Sequence, residues 1–436
     1  MKDIRVAELF AGVGGFRLGL ENSSDRFRVV WADQYEPERK IQAAYEVYKK
    51  RFGNKEIVNE DISQVKKSEI PDFDLLVGGF PCQDYSVVQA VSHSMGMQGK
   101  KGVLWWDIIG TIDEKKPRFV FLENVDRLLT SPGVKSNNPG RDFGMILRTL
   151  SDRGYGVFWK VVNAADYGFP QRRRRTFIFA FHKSTNYFND IKNEFNVKVP
   201  ADMLNHSGPF NVNLPNEKIE SVQDVSLNSD KLNKLSDFSK NFSIKGGFKK
   251  IGFMMDNHAY FSNYVAKTRN SITIRDIIDT DVNDESLYLS DKSINRMMKL
   301  RDKSSVFKKT KDGHRYPYAM GKVQYPDSID KPARTMVTSE HSINRMSHVI
   351  VDPQNNRQRF LTPEEAEKIN TFPSGWTDID GITKSARYFL MGNALVVNLV
   401  TEIGTEINNI LDKEPEKAKK ISFNLSSNNK LLKKKL

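Results

Sequence analysis

Two hydrophobic rhythms divide the chain. From Ile4 to about His182, short apolar runs, "RVAELF", "FRVVWAD", "FDLLVGGF", "RFVFLEN", "VFWKVVNA" and "RTFIFAF", are rich in β-branched and aromatic residues. Between them lie segments such as "EPERKIQAAYEVYKKRF" and "DFGMILRTLSDRG", whose apolar residues recur three and four apart. The runs read as strands and the segments as helices. Their alternation predicts an α/β sheet with ligand sites at the carboxyl ends of its strands. After Lys183 the rhythm weakens. As far as about Gln324, Asn, Lys, Ser and Asp dominate, as in "LNSDKLNKLSDFSKNFSIKGGFKK". That stretch reads either as a second domain of loops and short strands or as a partly disordered insert. Order returns from "YPDSIDKPARTMVTS". In "TPEEAEKINTF", Thr362 stands at the N-cap, Pro363 at the first helical position and Glu365 at the third, a capping-box pattern. A last apolar helix, "NALVVNLVTEIGTEINNIL", ends the core, and the tail after Lys413, closing in "KLLKKKL", reads as mobile, solvated and basic. No internal repeat is evident.

Composition narrows the class. A chain of 436 residues, 39% hydrophobic and 28% charged, is long enough for two domains and fits a soluble globular protein. It has no apolar run of membrane-spanning length, and the N-terminus enters a strand directly, with no signal peptide. Cys82 is the single cysteine, which excludes an intramolecular disulfide and a Cys-based zinc cluster and makes an intracellular protein the default. A formal charge of +13 points to a polyanionic partner such as nucleic acid, although lysine-biased genomes produce the same excess.

The chemistry gathers at predicted strand ends. "ELFAGVGGFRLGLE" joins a strand to a helix, and Gly12, Gly14 and Gly15 let backbone approach a ligand at the helix N-terminus. Counted from Gly12, the last glycine of a G-x-G-x-x-G dinucleotide motif is replaced by Arg17, which argues against a pyrophosphate-bearing cofactor. The next strand ends at Asp33, where such sheets place a carboxylate for ribose hydroxyls, and "NEDIS" puts Asp61 where it could accept from an adenine amino group. Together these favour a nucleoside-bearing cofactor without pyrophosphate. A free Cys is usually a small buried hydrophobe. Here Cys82 follows a strand and Gly78–Gly79 at the same edge, the place for a nucleophile. Another strand ends in "FLENV", bringing Glu123 and Asn124 to that rim, where a protonated carboxyl can donate to a heterocycle nitrogen. In "YGFPQRRRRTFIF", an extended backbone puts Arg173 and Arg175 on one face and Arg172 and Arg174 on the other. Two guanidiniums aimed at the site could anchor a pyrimidine carbonyl or phosphates, the others pairing or facing solvent.

In this order the segments resemble the cytosine-C5 DNA methyltransferase family of bacterial restriction-modification systems. "FAGVGG" is similar to its cofactor loop, "GGFPCQ" to its nucleophile motif, "ENV" to its acid motif and "QRRRR" to its Q-x-R-x-R motif. "KPARTMVTS" resembles the segment joining the recognition domain to the core, "GNAL" the start of the final helix, and "RFLTPEEAEKINTFPSGW" the stretch between them. The resemblance implies a Rossmann-like S-adenosylmethionine-dependent core with a smaller, irregular, β-containing target-recognition domain. It divides the chain into a catalytic domain (1–183), target-recognition domain (184–345), return segment (346–391), final helix (392–412) and basic tail (413–436). It also implies that Cys82 attacks C6 of a flipped cytosine, with Glu123 at N3 and the amino group, Arg175 at O2, Arg173 positioning Cys82 or nearby backbone, and Asn124 ordering the turn. Phe10, Gly12, Gly14, Asp33, Gln34, Asp61, Ile62, Pro81, Leu104 and Asn393 become the surroundings of S-adenosylmethionine, left as S-adenosylhomocysteine, with no metal. Asp33–Gln34 departs from the family's usual Glu followed by an aromatic, and Asp84 beside Cys82 has no physical account.

"SVVQAVSHSMGMQGKKG" matches the family's mobile DNA-closing loop, with Ser86 on a phosphate and Gln89 or His93 filling the space the base vacates; Arg172 joins the DNA-facing set. "FKKIGFMMDNHAYFSNYVAKTRNS" has the chemistry of phosphate and base-edge contacts, and a short CG-containing target is the guess. The expected partner is duplex DNA, engaged by a monomer beside a restriction endonuclease that does not bind it, in the bacterial cytoplasm at the nucleoid. Rival readings are a transfer-RNA methyltransferase of the same family, which the long insert disfavours, and a catalytically silent DNA-binding relative, which the intact Cys82, Glu123 and Arg175 disfavour.

Overall fold

The computed structural model describes residues 3–80, 104–133, 136–302, 305–309, 315–319 and 322–415. Every expected strand of the N-terminal part is present. β1 (Ile4–Leu9), β2 (Phe27–Asp33), β3 (Ile57–Val58), β4 (Leu75–Gly79) and β5 (Phe119–Val125) run parallel; β7 (Arg174–His182) lies antiparallel beside β5, and β6 (Tyr155–Asn163) pairs antiparallel with the far edge of β7. The central strands are apolar on both faces because both faces are covered. On one side Val6, Phe121 and Phe179 pack with Phe16, Val47 and Val400, which belong to helices Gly15–Ser23, Ala43–Phe52 and Val397–Asp412. On the other, Leu9, Leu76 and Ile178 pack with Trp105, Ile108 and Ile146 from helices Leu104–Lys115 and Arg141–Ser151. Phe119 stacks on Phe179 at 5.7 Å and Phe121 on Phe177 at 5.9 Å, cross-strand pairs that hold β7 against β5.

The first and last helices of the core touch closely. A Cβ on Gly19 would lie 2.6 Å from Val400 Cβ, so only glycine admits this crossing. Gly19→Ala would wedge the pair apart, at a cost of about 1–3 kcal/mol.

Two expectations are corrected. First, the sheet does not stop at 183. After β8 (Asn216–Ile219), β9 (Gln223–Ser226), β10 (Ile251–Met255) and β11 (His258–Ser262) extend it in the order β3-β2-β1-β4-β5-β7-β6-β10-β11-β9. Much of the segment expected to form a separate recognition domain therefore shares the catalytic sheet, because the free edge of β6 pairs with the apolar run "IGFMM". β12 (Tyr264–Ala266) pairs with β8, β13 (Ser305–Lys309) with β14 (Arg315–Ala319), and β15 (Val349–Val351) with β16 (Gln358–Phe360), as small ladders beyond it. Helices Asn186–Val197, Pro200–His206, Leu235–Asn241 and Asp291–Asp302 fill the weakly periodic region, so among the described residues it is ordered.

Second, "GNAL" does not start the final helix. Gly392 and Asn393 end the helix Lys384–Asn393, Ala394 is extended, and the final helix starts at Val397, whose N–H donates to Asn370 O at 3.0 Å. Of the tail expected to be mobile, residues 416–436 lie outside the described residues. Glu414 accepts from Tyr187 N at 2.8 Å and Asn186 N at 3.1 Å, at the positive end of helix Asn186–Val197. A smaller difference is that the second helix starts at Ala43 rather than near Glu36. The Gln42 side chain braces the preceding turn, accepting from Glu36 N at 2.8 Å and donating to Arg39 O at 2.7 Å. The capping box at Thr362–Glu365 forms as read, with Glu365 N donating to Thr362 Oγ1 at 3.0 Å and Thr362 N to Glu365 Oε2 at 2.7 Å.

Candidate active site

The carboxyl rim of the parallel strands has two sides. On the β1–β2 side the chain leaves β1 through Phe10 at φ 55°, Gly12 at φ 56° and Gly14 at φ 84° into the helix Gly15–Ser23. A Cβ on Gly14 would strike the Phe52 ring at 2.3 Å, so both the turn and the packing demand glycine. Asp33 and Gln34, at the end of β2, hold this loop from beneath. Phe10 N donates to Asp33 Oδ1 at 3.2 Å, Ala11 N to Asp33 O at 2.9 Å and Gly12 N to Gln34 Oε1 at 2.7 Å. Gln34, expected beside the cofactor, thus braces the loop through its side-chain amide. Behind the loop, Trp376 Nε1 donates to Val13 O at 2.9 Å, tying the return segment to it.

Burial raises the Asp33 carboxyl to about 7, with Lys67 opposing and Asp107 and Asp61 adding to the rise. Lys67 and Asp107 were not singled out in the sequence. Lys67 Nζ donates to the Ile62 carbonyl and pairs with Asp107 at 3.5 Å, pinning the Asp61–Ile62 turn against the helix that Leu104 opens. Asp61 Oδ1 accepts from Ser63 N at 2.9 Å, and Ile62 is buried. Three carboxylates around one lysine make this side of the rim acidic. Carboxylates for hydroxyl and amino groups beside an open glycine turn suit a cationic, nucleoside-bearing ligand. Asn393 is exposed at the end of its helix.

On the β4–β5–β7 side, Glu123 and Arg175 project from neighbouring strands and form an ion pair, Nε to Oε1, at 2.7 Å, both still open to solvent at 12% and 16%. Gly79 leaves room for the acid, since a Cβ there would sit 3.2 Å from Glu123 Oε2. Asn124, fully enclosed, donates from Nδ2 to Phe80 O at 2.9 Å and accepts at Oδ1 from Val125 N at 2.9 Å. It thereby fixes the point at which the chain passes on to Pro81 and Cys82. Pro81, Cys82, Asp84, Ser86, Gln89 and His93 lie outside the described residues.

The four arginines separate as the alternation predicts. Arg174 pairs with Asp126 at 3.0 Å on the surface, Arg172 is exposed, Arg173 is buried and Arg175 faces Glu123. Arg173 was expected to position Cys82 or nearby backbone; among the described residues its Nη1 donates to Met336 O at 3.2 Å and its Nη2 to Gly392 O at 3.1 Å. Burial, with the Arg175 charge adding to it, disfavours its protonated form, which Glu123 partly restores. Gln171, also unassigned in the sequence, completes the clasp. Its Nε2 donates to Asn370 Oδ1 at 2.7 Å, and its Oε1 accepts from Met336 N at 3.0 Å. The Q-x-R half of Q-x-R-x-R therefore clasps Met336, Asn370 and Gly392, and its last arginine meets Glu123. The clue available in sequence was the strict alternation after a Pro.

Among the described residues, no group of three or more His, Cys, Asp or Glu could hold a metal ion, and no helix is long and apolar enough to cross a membrane. The family model described as C-5 cytosine-specific DNA methylase matches residues 4–409. The chain is 44% identical over 415 residues to Type II methyltransferase M.Sau3AI of Staphylococcus aureus, covering 94% of this chain and 97% of that protein. It is 36% identical over 186 residues to Type II methyltransferase M.HhaI of Haemophilus parahaemolyticus, 43% of this chain and 51% of that one. Among solved structures, the S. pombe Dnmt2 methyltransferase matches 94% of this chain and 98% of its own with a TM-score of 0.57 at 15% identity, a likeness of fold. That likeness is to a Rossmann-like methyltransferase core.

Proposed function

The chain belongs to the C-5 cytosine-specific DNA methylase family and is a DNA cytosine-5-methyltransferase, and we propose that it methylates a flipped-out cytosine in one short duplex sequence through a covalent Cys82–C6 adduct. The observation that carries this reading is the Glu123–Arg175 pair at 2.7 Å, standing beside the Asn124 anchor of the chain that leads into Cys82. O2 and N3 are neighbouring atoms of the pyrimidine, so an arginine and an acid already in contact suit that edge. Arg175 donates to O2, and Glu123 engages N3 and the amino group. Withdrawing charge there makes C6 electrophilic enough for the Cys82 thiolate, which neutral cytosine otherwise resists. Addition puts electron density on C5; after methylation the C5 proton leaves, the thiolate departs and the aromatic ring returns.

S-adenosylmethionine, when bound, supplies the methyl group as a sulfonium electrophile. Asp33 takes the ribose hydroxyls, Asp61 and Ile62 border the adenine, and Phe10, Gly12 and Gly14 line the methionine, with Pro81, Leu104 and Asn393 along the pocket. The acidic side of the rim favours that cation. Ser86, Gln89, His93 and Arg172 face the DNA, and the region between residues 184 and 345 supplies the target-reading contacts. We further propose a monomer that acts beside, and not bound to, a restriction endonuclease, as the Type II names of its relatives suggest.

Bisulfite sequencing of an unmethylated duplex library after incubation with protein and S-adenosylmethionine tests this. Protection at one short sequence, lost in Cys82→Ala, is expected. Protection that survives in Cys82→Ala would overturn the adduct; none at any site, with S-adenosylmethionine still bound, would overturn the DNA substrate.

A further inference from the structure

Beside the arginine run lies a second polar cleft, of about 280 Å³, where the 322–334 segment docks on residues 170–173. Arg172, Lys322, Ser328, Lys331 and Arg334 line it, with Asp327 at its base. Asp327 is spoken for. It accepts from Arg334 Nε at 2.7 Å, Arg301 Nη2 at 2.9 Å and Val349 N at 2.9 Å, and these partners, with His348, hold it down to about 2 despite burial. Lys322 pairs with Asp302 at 3.3 Å on the surface. Arg172 and Lys331 are different. Both are exposed, and neither side chain has a hydrogen-bond or ion-pair partner among the described residues.

Hydrogen bonds to their backbone fix where these two cations stand. Arg172 N donates to Ala333 O at 2.7 Å, Ala333 N to Pro170 O at 2.8 Å, Thr335 Oγ1 to Arg172 O at 2.7 Å, and Ile274 N to Lys331 O at 3.1 Å. Each residue is therefore held by rigid backbone while its charge is left unanswered. The cleft also adjoins the site: Arg172 is three residues from Arg175, about 10 Å along an extended chain.

We propose that this cleft seats a backbone phosphate of the DNA strand carrying the target cytosine, with Arg172 and Lys331 as its cationic walls and Ser328 as a hydroxyl donor. The inference rests on the DNA-methylating reading of the adjoining site, which already turns Arg172 to the DNA, and adds to it Lys331, Ser328 and the phosphate they would hold. A phosphate contact fixes register and carries no sequence information. Its signature is a loss of affinity shared by all duplexes, together with a weaker dependence on salt.

The test is the slope of log affinity against log salt for the full chain, on a duplex containing the methylated sequence and on one lacking it. Lys331→Gln should weaken both duplexes by a similar factor and make the slope shallower by about 0.9. Arg172→Gln should do the same, and Lys331→Arg should keep the wild-type slope. S-adenosylmethionine binding by each variant serves as the folding control. Unchanged slopes in both Gln variants, with wild-type binding and methylation intact, would overturn the phosphate seat and leave the methyltransferase reading standing. A loss confined to the target duplex would also overturn it, since Lys331 would then be reading bases. If the wild type neither binds nor methylates DNA, both readings fall together.

Discussion

The two sides of the carboxyl rim, built on one sheet, carry opposite charge. Around the β1–β2 turn stand Asp33, Asp61 and Asp107 with Lys67 alone against them; around β7 stand Arg172 to Arg175, with Lys331 and Arg334 across the cleft. The acidic side suits a sulfonium cofactor and the basic side a polyanionic strand. Glu123 is the carboxylate that meets Arg175 on the basic side, and it is the acid the proposed chemistry needs. The separation shows how a chain with excess positive charge can hold a small cation and a polyanion side by side: each ligand meets its own local field, whatever the net charge.

The comparison can be broken at several points. Glu123→Gln removes that carboxylate and should lower kcat by about 10²–10⁴-fold, as loss of a positioned acid does, while S-adenosylmethionine binding survives. Single-turnover methylation and equilibrium binding of the cofactor separate the two effects. Arg173→Ala strips two buried carbonyls, Met336 O and Gly392 O, of their donor and should cost about 2–4 kcal/mol in urea unfolding. The same measurement on Arg174→Ala, whose partner Asp126 lies at the surface, should give less than about 1 kcal/mol.

On the acidic side, Asp33 titrates near about 7 because burial disfavours its charge. For the free protein, a folded pKa raised above its ordinary value gives stability present at low pH and lost as pH rises through 7. Binding runs the other way, since the carboxylate accepts from hydroxyls and attracts the sulfonium only when ionised. S-adenosylmethionine affinity should therefore rise several-fold between pH 6 and 8, and Asp33→Asn should flatten that profile in calorimetric titrations.

A second pH-dependent effect should come from Glu8, in the strand that leads into the glycine loop. Burial raises its carboxyl to about 8, and Tyr48 Oη donates to its Oε2 at 3.0 Å, opposing the rise. As pH rises from 5 to 8 the wild type should lose about 1–3 kcal/mol relative to Glu8→Gln, read from denaturant midpoints at each pH. A constant difference would mean that Glu8 is already charged at pH 5.

Legibility in the sequence followed the range of the interactions involved. The six strands of the N-terminal part, the capping box at Thr362 and the alternation of Arg172 to Arg175 are local patterns, and all appear where the sequence puts them. The two-residue strand β3 and the late starts of helices Ala43–Phe52 and Val397–Asp412 were not legible. In those helices, a Gln42 brace and an Asn370 carbonyl overrule continuous helical periodicity. Gln171, Lys67 and Asp107 were passed over because their partners lie far away in sequence: Asn370, Met336 and, for the lysine, Asp107 itself.

By itself, then, the sequence determined the α/β core, the family and the residue types at the strand ends, because strand rhythm, caps and motif order are written in neighbouring positions. Only the tertiary structure decided that β9, β10 and β11 join the catalytic sheet and that Arg173 clasps Met336 and Gly392 while Arg175 meets Glu123. It alone also left Arg172 and Lys331 facing one cleft. The physical reason is common to all three. Pairing an open strand edge, satisfying a buried carbonyl and leaving a cation unanswered depend on which distant segments the hydrophobic core brings together, and no local pattern encodes that.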